Sequence, residues 1–382
     1  MTAPENPQPA ATRDGVALAP LAGGFLSPYR ERLHLIERFA APTAEDLAAA
    51  QAADEATAQE GNGAPRATGP FSGEVLAAMD AWSAPFGEPE QTHAVTEDRE
   101  IAGPHGPVPV RVYRPEPGWE PTAPAVPDGE GRLPGLVWLH GGAFVGGDLD
   151  MPEADLVARG ITTRTGVTVV SVFYRLCHGG VHHPVPHDDG YAVFRWTVDN
   201  AASLGIDPGR VAVGGASAGG NLAAGVALHA RDDARAGLVP AWQALLAYPV
   251  AHAGRWPEAS AELAERLVRM PQILRFPADV MAGMNSSYLG GALDAAPAYA
   301  SVGDAQGTAA DLAGYPSTYI ENCENDDLRA SGEGLARQLA DAGVDVECVT
   351  CAGVPHGHLN AVGSPLTSLS LDRFAARLRR RA

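Results

Sequence analysis

The chain has 382 residues, of which 45% are hydrophobic and 19% are charged. That hydrophobic fraction supports a sizeable core and excludes disorder of the whole chain. Acidic residues outnumber basic ones 46 to 27, for a formal net charge of −19. Such a surface repels a phosphate backbone, so nucleic acid is not expected as a partner.

The sequence shows neither a signal peptide nor a membrane span. Residues 1–15 lack a basic region followed by an apolar one. The sequence has no apolar run of about 18 residues or more. The four cysteines are too few for a disulfide framework. We therefore expect a cytoplasmic protein with free thiols.

The first 90 residues divide into a tail and a helical segment. Residues 1–15 are rich in Pro, Ala and Thr without periodicity, which indicates a flexible tail. Residues 16–90 are interpreted as a helical cap segment, in which SGEVLAAMDAWSAPF predicts a helix. Its aromatic residues are Phe25, Tyr29, Trp82 and Phe86. We expect this segment to form a lid; a remote appendage or a contact in a homodimer is the alternative.

From residue 91 onward, short β-branched runs alternate with helical stretches. The predicted strands are PVRVYRP (109–115), GLVWLH (135–140), TVVSVFYR (168–175), RVAVGG (210–215), QALLAYPV (243–250), STYIENC (317–323) and VECVTC (346–351). Nearly continuous apolar strands separated by helices indicate a mostly parallel sheet with helices on both faces. The chain is therefore assigned to the α/β class. Residues 91–382 form one domain, and 251–300 are a helical insertion that adds to the cap.

The strongest local motif is Gly215-Ala216-Ser217-Ala218-Gly219, at the junction of an apolar strand and a helix. A sharp strand-to-helix turn needs small flanking residues and exposes the serine Oγ at the end of the sheet. Amides at the start of the helix then favour negative charge on a reacting oxygen. Ser217 is predicted as a nucleophile, with Gly215 and Gly219 shaping the turn. An ordinary glycine-rich turn is the alternative.

A second motif, His140-Gly141-Gly142-Ala143, follows the strand that ends at Leu139. Glycines let the backbone come close to a substrate and aim N–H groups at a tetrahedral oxygen. The motif is therefore predicted to be an oxyanion-hole loop, with His140 as part of it. The alternative is a tight turn with a structural histidine.

A serine nucleophile needs a base, and the base needs an acid to orient it. Asp326 and Asp327 follow one predicted strand, and His356 follows the last one. The chain order Ser217, Asp326, His356 is the order expected of an α/β-hydrolase sheet. Because each residue lies just beyond a strand, we expect their side chains to converge.

Four motifs together resemble those of the hormone-sensitive-lipase-like family of α/β-hydrolase esterases. They are HGGAFVGGDLD, FYRL followed by HHPVPHDDGYAVFRW, GIDPGRVAVGGASAGGNLAA, and NDDLR with GVPHG. The resemblance implies an α/β-hydrolase fold with a helical cap, and a serine hydrolase that cleaves small-molecule carboxylic esters through an acyl-enzyme. It implies Ser217 as nucleophile, Asp326 as acid and His356 as base, with no cofactor and no metal. It also implies an oxyanion hole formed by the amides of Gly141, Gly142, Ala143 and Ala218.

The sequence departs from the family pattern at Ala143, which replaces a glycine, and at His358, which replaces a phenylalanine. These changes leave the substrate range open. An amidase such as an aryl-formamidase, or an acyltransferase, would use the same triad. A hormone-binding receptor of this fold lacks the catalytic histidine, which is present here as His356.

One loop is rich in titratable residues. Its histidines are His178, His182, His183 and His187. Prolines and glycines interrupt their spacing, so we interpret the loop as solvated or cap-contacting and expect no metal there. Asp188 and Asp189 precede the predicted helix GYAVFRWTV, and at least one of them is expected to cap it.

Overall fold

The computed structural model describes residues 29–40, 43, 49, 73–304 and 309–380. The predicted tail at 1–15 and the aromatic residue Phe25 lie outside the described residues. None of the helices in the described ranges combines the length and the apolar character needed to cross a membrane.

The described strands form one eight-stranded sheet. They are β1 (Ala94–Gly103), β2 (Gly106–Pro115), β3 (Leu133–Leu139), β4 (Thr168–Val172), β5 (Ile206–Ala216), β6 (Gln243–Ala247), β7 (Ser317–Asn325) and β8 (Val346–Pro355). Their order is β1-β2-β4-β3-β5-β6-β7-β8. β2 pairs antiparallel with both β1 and β4, and the pairs from β4 to β8 are parallel. The predicted α/β fold with a mostly parallel sheet is confirmed.

β1 is absent from the predicted strands, and its position at the sheet edge explains why. Half of the residues in its sequence, AVTEDREIAG, are polar or charged, and most of its residues are solvent-exposed. An edge strand pairs on one side and leaves the other in water, so it lacks the apolar run that marks a central strand.

The helices of the described residues cover both faces of the sheet. They are α1 (Tyr29–Ile36), α2 (Gly73–Ser83), α3 (Pro152–Thr165), α4 (Val185–Asp199), α5 (Ala201–Leu204), α6 (Ala218–Ala234), α7 (Ala261–Val268), α8 (Ala278–Leu289), α9 (Ala309–Leu312), α10 (Arg329–Asp341) and α11 (Pro365–Leu378). Short 3₁₀ turns lie at Gln272–Leu274, Leu293–Ala295, Val302–Asp304 and His358–Asn360.

Successive residues of β3 alternate between two hydrophobic cores. Val137 and Leu139 pack in the core that contains residues of α4 and α6. Leu136 and Trp138 pack in the core that contains residues of α3 and α11. Because a strand has a side-chain period of two, a strand buried on both faces needs the continuous apolar sequence seen here.

The predicted capping role of Asp188 or Asp189 is wrong, because α4 begins at Val185 and both residues lie inside it. Asp189 is fully buried and accepts hydrogen bonds from the Arg175 backbone N–H, at 2.9 Å, and from its guanidinium. Asp188 Oδ2 lies 2.7 Å from His105 Nε2. Both carboxylates therefore connect the helix to neighbouring segments.

Candidate active site

The turn between β5 and α6 forces Ser217 into a backbone conformation that L-residues rarely adopt, with φ 54° and ψ −117°. A Cβ on Gly215 would lie 2.3 Å from the Gly219 carbonyl oxygen. A Cβ on Gly219 would lie 2.2 Å from the carbonyl oxygens of His140 and Leu139. Glycine is therefore required at both positions, and the turn holds Ser217 beside the end of β3.

A chain of hydrogen bonds joins the three residues predicted to act together. Asp326, directly after β7, is fully buried, and its Oδ2 lies 2.7 Å from Nδ1 of His356. His356 follows β8, and its Nε2 lies 2.9 Å from Ser217 Oγ. Since a carboxylate only accepts, Nδ1–H donates to Asp326, which leaves Nε2 to accept from the serine hydroxyl.

The charge of Asp326 controls the titration of His356. Burial alone lowers the pKa of His356, but the charge of Asp326 and its hydrogen bond outweigh burial and raise the pKa above its ordinary value. The buried carboxylate of Glu153 adds to the upward shift. This imidazole can accept a proton from Ser217 and hold it.

The neighbouring carboxylate, Asp327, faces the other way. It binds the Arg275 guanidinium, with Arg275 NH2 2.8 Å from Oδ1, and accepts from the Phe276 backbone N–H at 2.9 Å. Asp327 therefore joins the end of β7 to the segment between α7 and α8, whereas Asp326 contacts His356.

The loop after β3 has the strained backbone expected of its glycines. Gly142 has φ 114°, and a Cβ there would lie 2.2 Å from the Gly146 carbonyl oxygen. Ala143 also lies at positive φ, 54°. His140 is buried under this loop, where its ring stacks on Tyr174 with centroids 4.5 Å apart.

Gly141 departs from the predicted set of oxyanion donors. Its N–H donates to Glu153 Oε2 at 2.7 Å in a fully buried setting. This hydrogen bond removes Gly141 from the free donors and makes it the point where the loop is attached. Gly142, Ala143 and Ala218 are the members of the predicted set that remain as candidate donors.

Glu153, in the first turn of α3, is a site residue that the sequence analysis missed. The Tyr248 hydroxyl donates to its Oε1 at 2.5 Å, and its Oε2 accepts from Gly141. Burial raises the pKa of Glu153, while the hydrogen bonds from Tyr248 and Gly141 oppose that rise. The signal available in the sequence was an acidic residue opening the helix that follows the glycine loop.

A cavity of about 520 Å³ opens beside His356. Its apolar lining includes Tyr29, Trp82 and Phe86 from the N-terminal segment and Ile273, Leu274 and Phe276 from the insertion. A volume of this size suits a small molecule. Three of the aromatic residues predicted to form the lid thus lie on one cavity with His356.

The loop histidines contact other parts of the protein. His182 Nδ1 lies 2.7 Å from the Ser287 carbonyl oxygen, and His183 Nδ1 lies 3.3 Å from the Tyr288 hydroxyl. Both partners belong to α8, which lies within residues 251–300. The other two bond to Val145 and to His229, with His178 Nε2 2.6 Å from the Val145 carbonyl oxygen and His187 Nε2 3.1 Å from His229 Nδ1.

A separate buried cluster in the described ranges has donor atoms of the kind that metals bind. Oxygen, sulfur and nitrogen atoms of Glu321, Cys351 and His358 lie within 4.8 Å of one another. Arg373 NH1 lies 2.8 Å from the Cys351 sulfur and 3.5 Å from Glu321 Oε2. The guanidinium thus supplies positive charge beside two members of this cluster.

Comparison with known proteins identifies the family. Residues 136–360 match the alpha/beta hydrolase fold family. Carboxylesterase NlhH of Mycobacterium tuberculosis is 36% identical over 281 residues, which cover 72% of this chain and 78% of that protein. Esterase LipI of the same species is 34% identical over 272 residues, 70% of this chain and 75% of that protein. A hyperthermophilic esterase from the archaeon Pyrobaculum calidifontis matches at TM-score 0.67 and 29% identity, over 93% of this chain and 98% of that one.

The chain therefore belongs to the α/β-hydrolase-fold family, in its hormone-sensitive-lipase-like group of carboxylic ester hydrolases.

Glu153→Ala is expected to lower kcat/KM for a small aryl ester on the order of 100-fold, because the glycine loop loses its attachment and its amides shift. Tyr248→Phe keeps the bond between Glu153 and Gly141, so its loss is expected to be smaller. Steady-state kinetics and thermal unfolding of both variants provide the measurement. A folded Glu153→Ala variant with the wild-type kcat/KM would contradict this role.

Proposed function

We propose that the protein is a serine hydrolase that cleaves carboxylic esters through an acyl-enzyme, with Ser217 as nucleophile, His356 as base and Asp326 as the orienting acid. The observation that carries the proposal is the hydrogen-bond chain from Asp326 through His356 to Ser217. The three residues come from the ends of β5, β7 and β8, as in the order expected for this fold.

Acylation begins when His356 Nε2 takes the proton of Ser217 and the serine Oγ bonds to the ester carbonyl carbon. The carbonyl π electrons move to oxygen, and the N–H groups of Gly142, Ala143 and Ala218 stabilise that oxyanion. One such donor contributes about 3–4 kcal/mol to transition-state stabilisation. The C–O bond to the alcohol then breaks as His356 returns the proton to the leaving oxygen.

Deacylation repeats the sequence with water. His356 removes a proton from water, the hydroxide oxygen attacks the acyl carbon, and the bond to Ser217 Oγ breaks as His356 protonates it. A carboxylic acid leaves. Asp326 stabilises the imidazolium in both halves of the reaction, because it lies buried on Nδ1.

We also infer that the N-terminal helices and the 251–300 insertion form a lid on a pocket for small, largely apolar esters. Both segments line the cavity beside His356. The N-terminal segment is fixed to the main domain by the Phe86 backbone N–H, which donates to the Val362 carbonyl at 2.8 Å. Arg32 holds the two helices together by donating to the Trp82 carbonyl at 3.0 Å. A closed apolar lid limits the access of water to the acyl-enzyme.

Ser217→Ala is expected to reduce ester hydrolysis by on the order of 10⁴-fold or more without unfolding the protein, since triad members act as a unit. Asp326→Asn should also cause a severe loss, because the imidazole loses its orienting carboxylate. Asp327→Asn is the matched control, because it makes the same substitution at the neighbouring residue. Its loss of activity on a small ester should be mild. Equal losses from the two Asp→Asn variants, or a larger one from Asp327→Asn, would overturn the assignment.

The pH dependence of kcat/KM follows from the raised pKa of His356. Neutral His356 is the form that accepts the serine proton, so activity falls as the pH drops through that pKa. The acid limb of kcat/KM should therefore lie above the value of about 6.5 for ordinary imidazole. In Asp326→Asn the residual activity should have its acid limb at lower pH. An acid limb that stays in place in Asp326→Asn would contradict the attribution to Asp326.

A further inference from the structure

We propose that Asp327 is a positioning residue that holds the Arg275–Phe276 segment of the insertion against His356, so that the Phe276 ring forms the alcohol side of the substrate pocket. The proposal rests on the proposed esterase function, since it assigns a specificity role at that same site. Asp327 is adjacent in sequence to Asp326, the proposed catalytic acid. The Asp327 carboxylate points away from the reacting atoms.

The carboxylate of Asp327 holds two consecutive residues at once. Arg275 contacts it through two nitrogens, with Nε 2.9 Å from Oδ2 and NH2 2.8 Å from Oδ1. The Phe276 backbone N–H donates to Oδ2 at 2.9 Å. A two-pronged contact between a guanidinium and a carboxylate fixes direction as well as distance. The side chain and the main chain of the segment are therefore both fixed to the end of β7.

The Arg275 guanidinium also contacts the preceding helix, α7. Arg275 NH1 donates to the Leu267 carbonyl at 2.6 Å, near the end of α7. Between α7 and α8 the regular structure is one short 3₁₀ turn, Gln272–Leu274. This connection lacks the hydrogen-bond ladder of a helix or strand, so side-chain contacts must determine its path.

The ion pair between Asp327 and Arg275 is largely buried, with side-chain exposures of 9% and 18%. Two charges removed from water contribute little net stability, because desolvation offsets their attraction. What such a pair provides is a defined geometry for the groups it joins. That geometry, rather than stability, is the property that a pocket wall requires.

The wall that this contact positions lies directly beside the base. The Phe276 ring centroid is 4.9 Å from that of His356, with the rings inclined at 66°, and Phe276 lines the cavity. In the proposed reaction His356 returns its proton to the oxygen of the leaving alcohol. The alcohol group must therefore lie next to the imidazole, and Phe276 is in reach of it.

A phenyl ring at this position favours an aryl alcohol over an alkyl alcohol. Aromatic pairs in edge-to-face or offset geometry gain interaction beyond the burial of their area. The gain corresponds to roughly a 3- to 10-fold preference in kcat/KM. Asp327 and Arg275 would then determine selectivity without touching the substrate.

The test compares phenyl acetate with ethyl acetate, which share an acyl group and differ in the alcohol. Phe276→Ala, Arg275→Gln and Asp327→Asn should each lower the phenyl-to-ethyl ratio of kcat/KM about 3- to 10-fold, chiefly through KM for phenyl acetate. The double variant Arg275→Gln/Phe276→Ala should have the ratio of Phe276→Ala alone, because the ion pair acts through that ring.

Arg269→Gln is the matched control, since it breaks an exposed ion pair with Glu265 in the same insertion and should leave the ratio unchanged. Arg275→Lys keeps the charge without the two-pronged contact, and an intermediate ratio is expected. This variant tests the proposal even where Arg275→Gln does not fold. Single variants with the wild-type ratio, or a double variant whose ratio falls well below that of Phe276→Ala, would overturn the positioning role.

The two proposals fail in different ways. A wild-type protein that hydrolyses neither ester contradicts the esterase function itself. A wild-type protein that hydrolyses both, with a ratio that none of the variants at 275, 276 and 327 changes, contradicts the positioning role alone.

Discussion

At Gly219 the first turn of α6 lies against the end of β3, so close that a single methyl group would clash with two carbonyl oxygens at 2.2 Å. The geometry of the site depends on this contact. It places Ser217, with its strained backbone, next to the loop that begins at His140. A bulkier residue at either glycine of the turn would separate the two elements and move the loop amides away from the serine.

Three buried carboxylates near the imidazole have three different roles, set by their partners. Asp326 bonds to His356 and raises its pKa. Glu153 takes donors from the glycine loop and from Tyr248, so it fixes backbone. Asp327 is paired with Arg275, and its charge is compensated inside the insertion contact. Because each carboxylate has its own hydrogen-bond donors, all three can lie near one imidazole in a strongly acidic chain.

The central strands and the turn at Ser217 could be predicted because each has a signal in a short stretch of the sequence. Central strands such as β3 carry apolar runs, and the glycines around Ser217 follow from the turn they must form. Their order along the chain then indicates which residues meet at the sheet edge. β1 lacks that signal because its outer side faces water. The residues that were missed, Glu153 and Arg275, are recognisable only by contacts with residues distant in the chain. Glu153 binds Gly141, 12 positions away, and Arg275 binds Asp327, 52 positions away. No periodicity encodes such pairs, so the structure was needed to find them.

Labelling of the 382-residue chain with a fluorophosphonate, followed by peptide mass spectrometry, tests directly whether Ser217 is the nucleophile. We expect one phosphonyl group per chain, on Ser217, because its Oγ bonds to His356, which the buried carboxylate of Asp326 orients. The informative comparison is Ser370, whose Oγ lies 2.8 Å from His358 Nε2 but is fully buried. A chain that takes up no label, or takes it up at Ser370 or any residue other than Ser217, would contradict the role of Ser217 as the nucleophile.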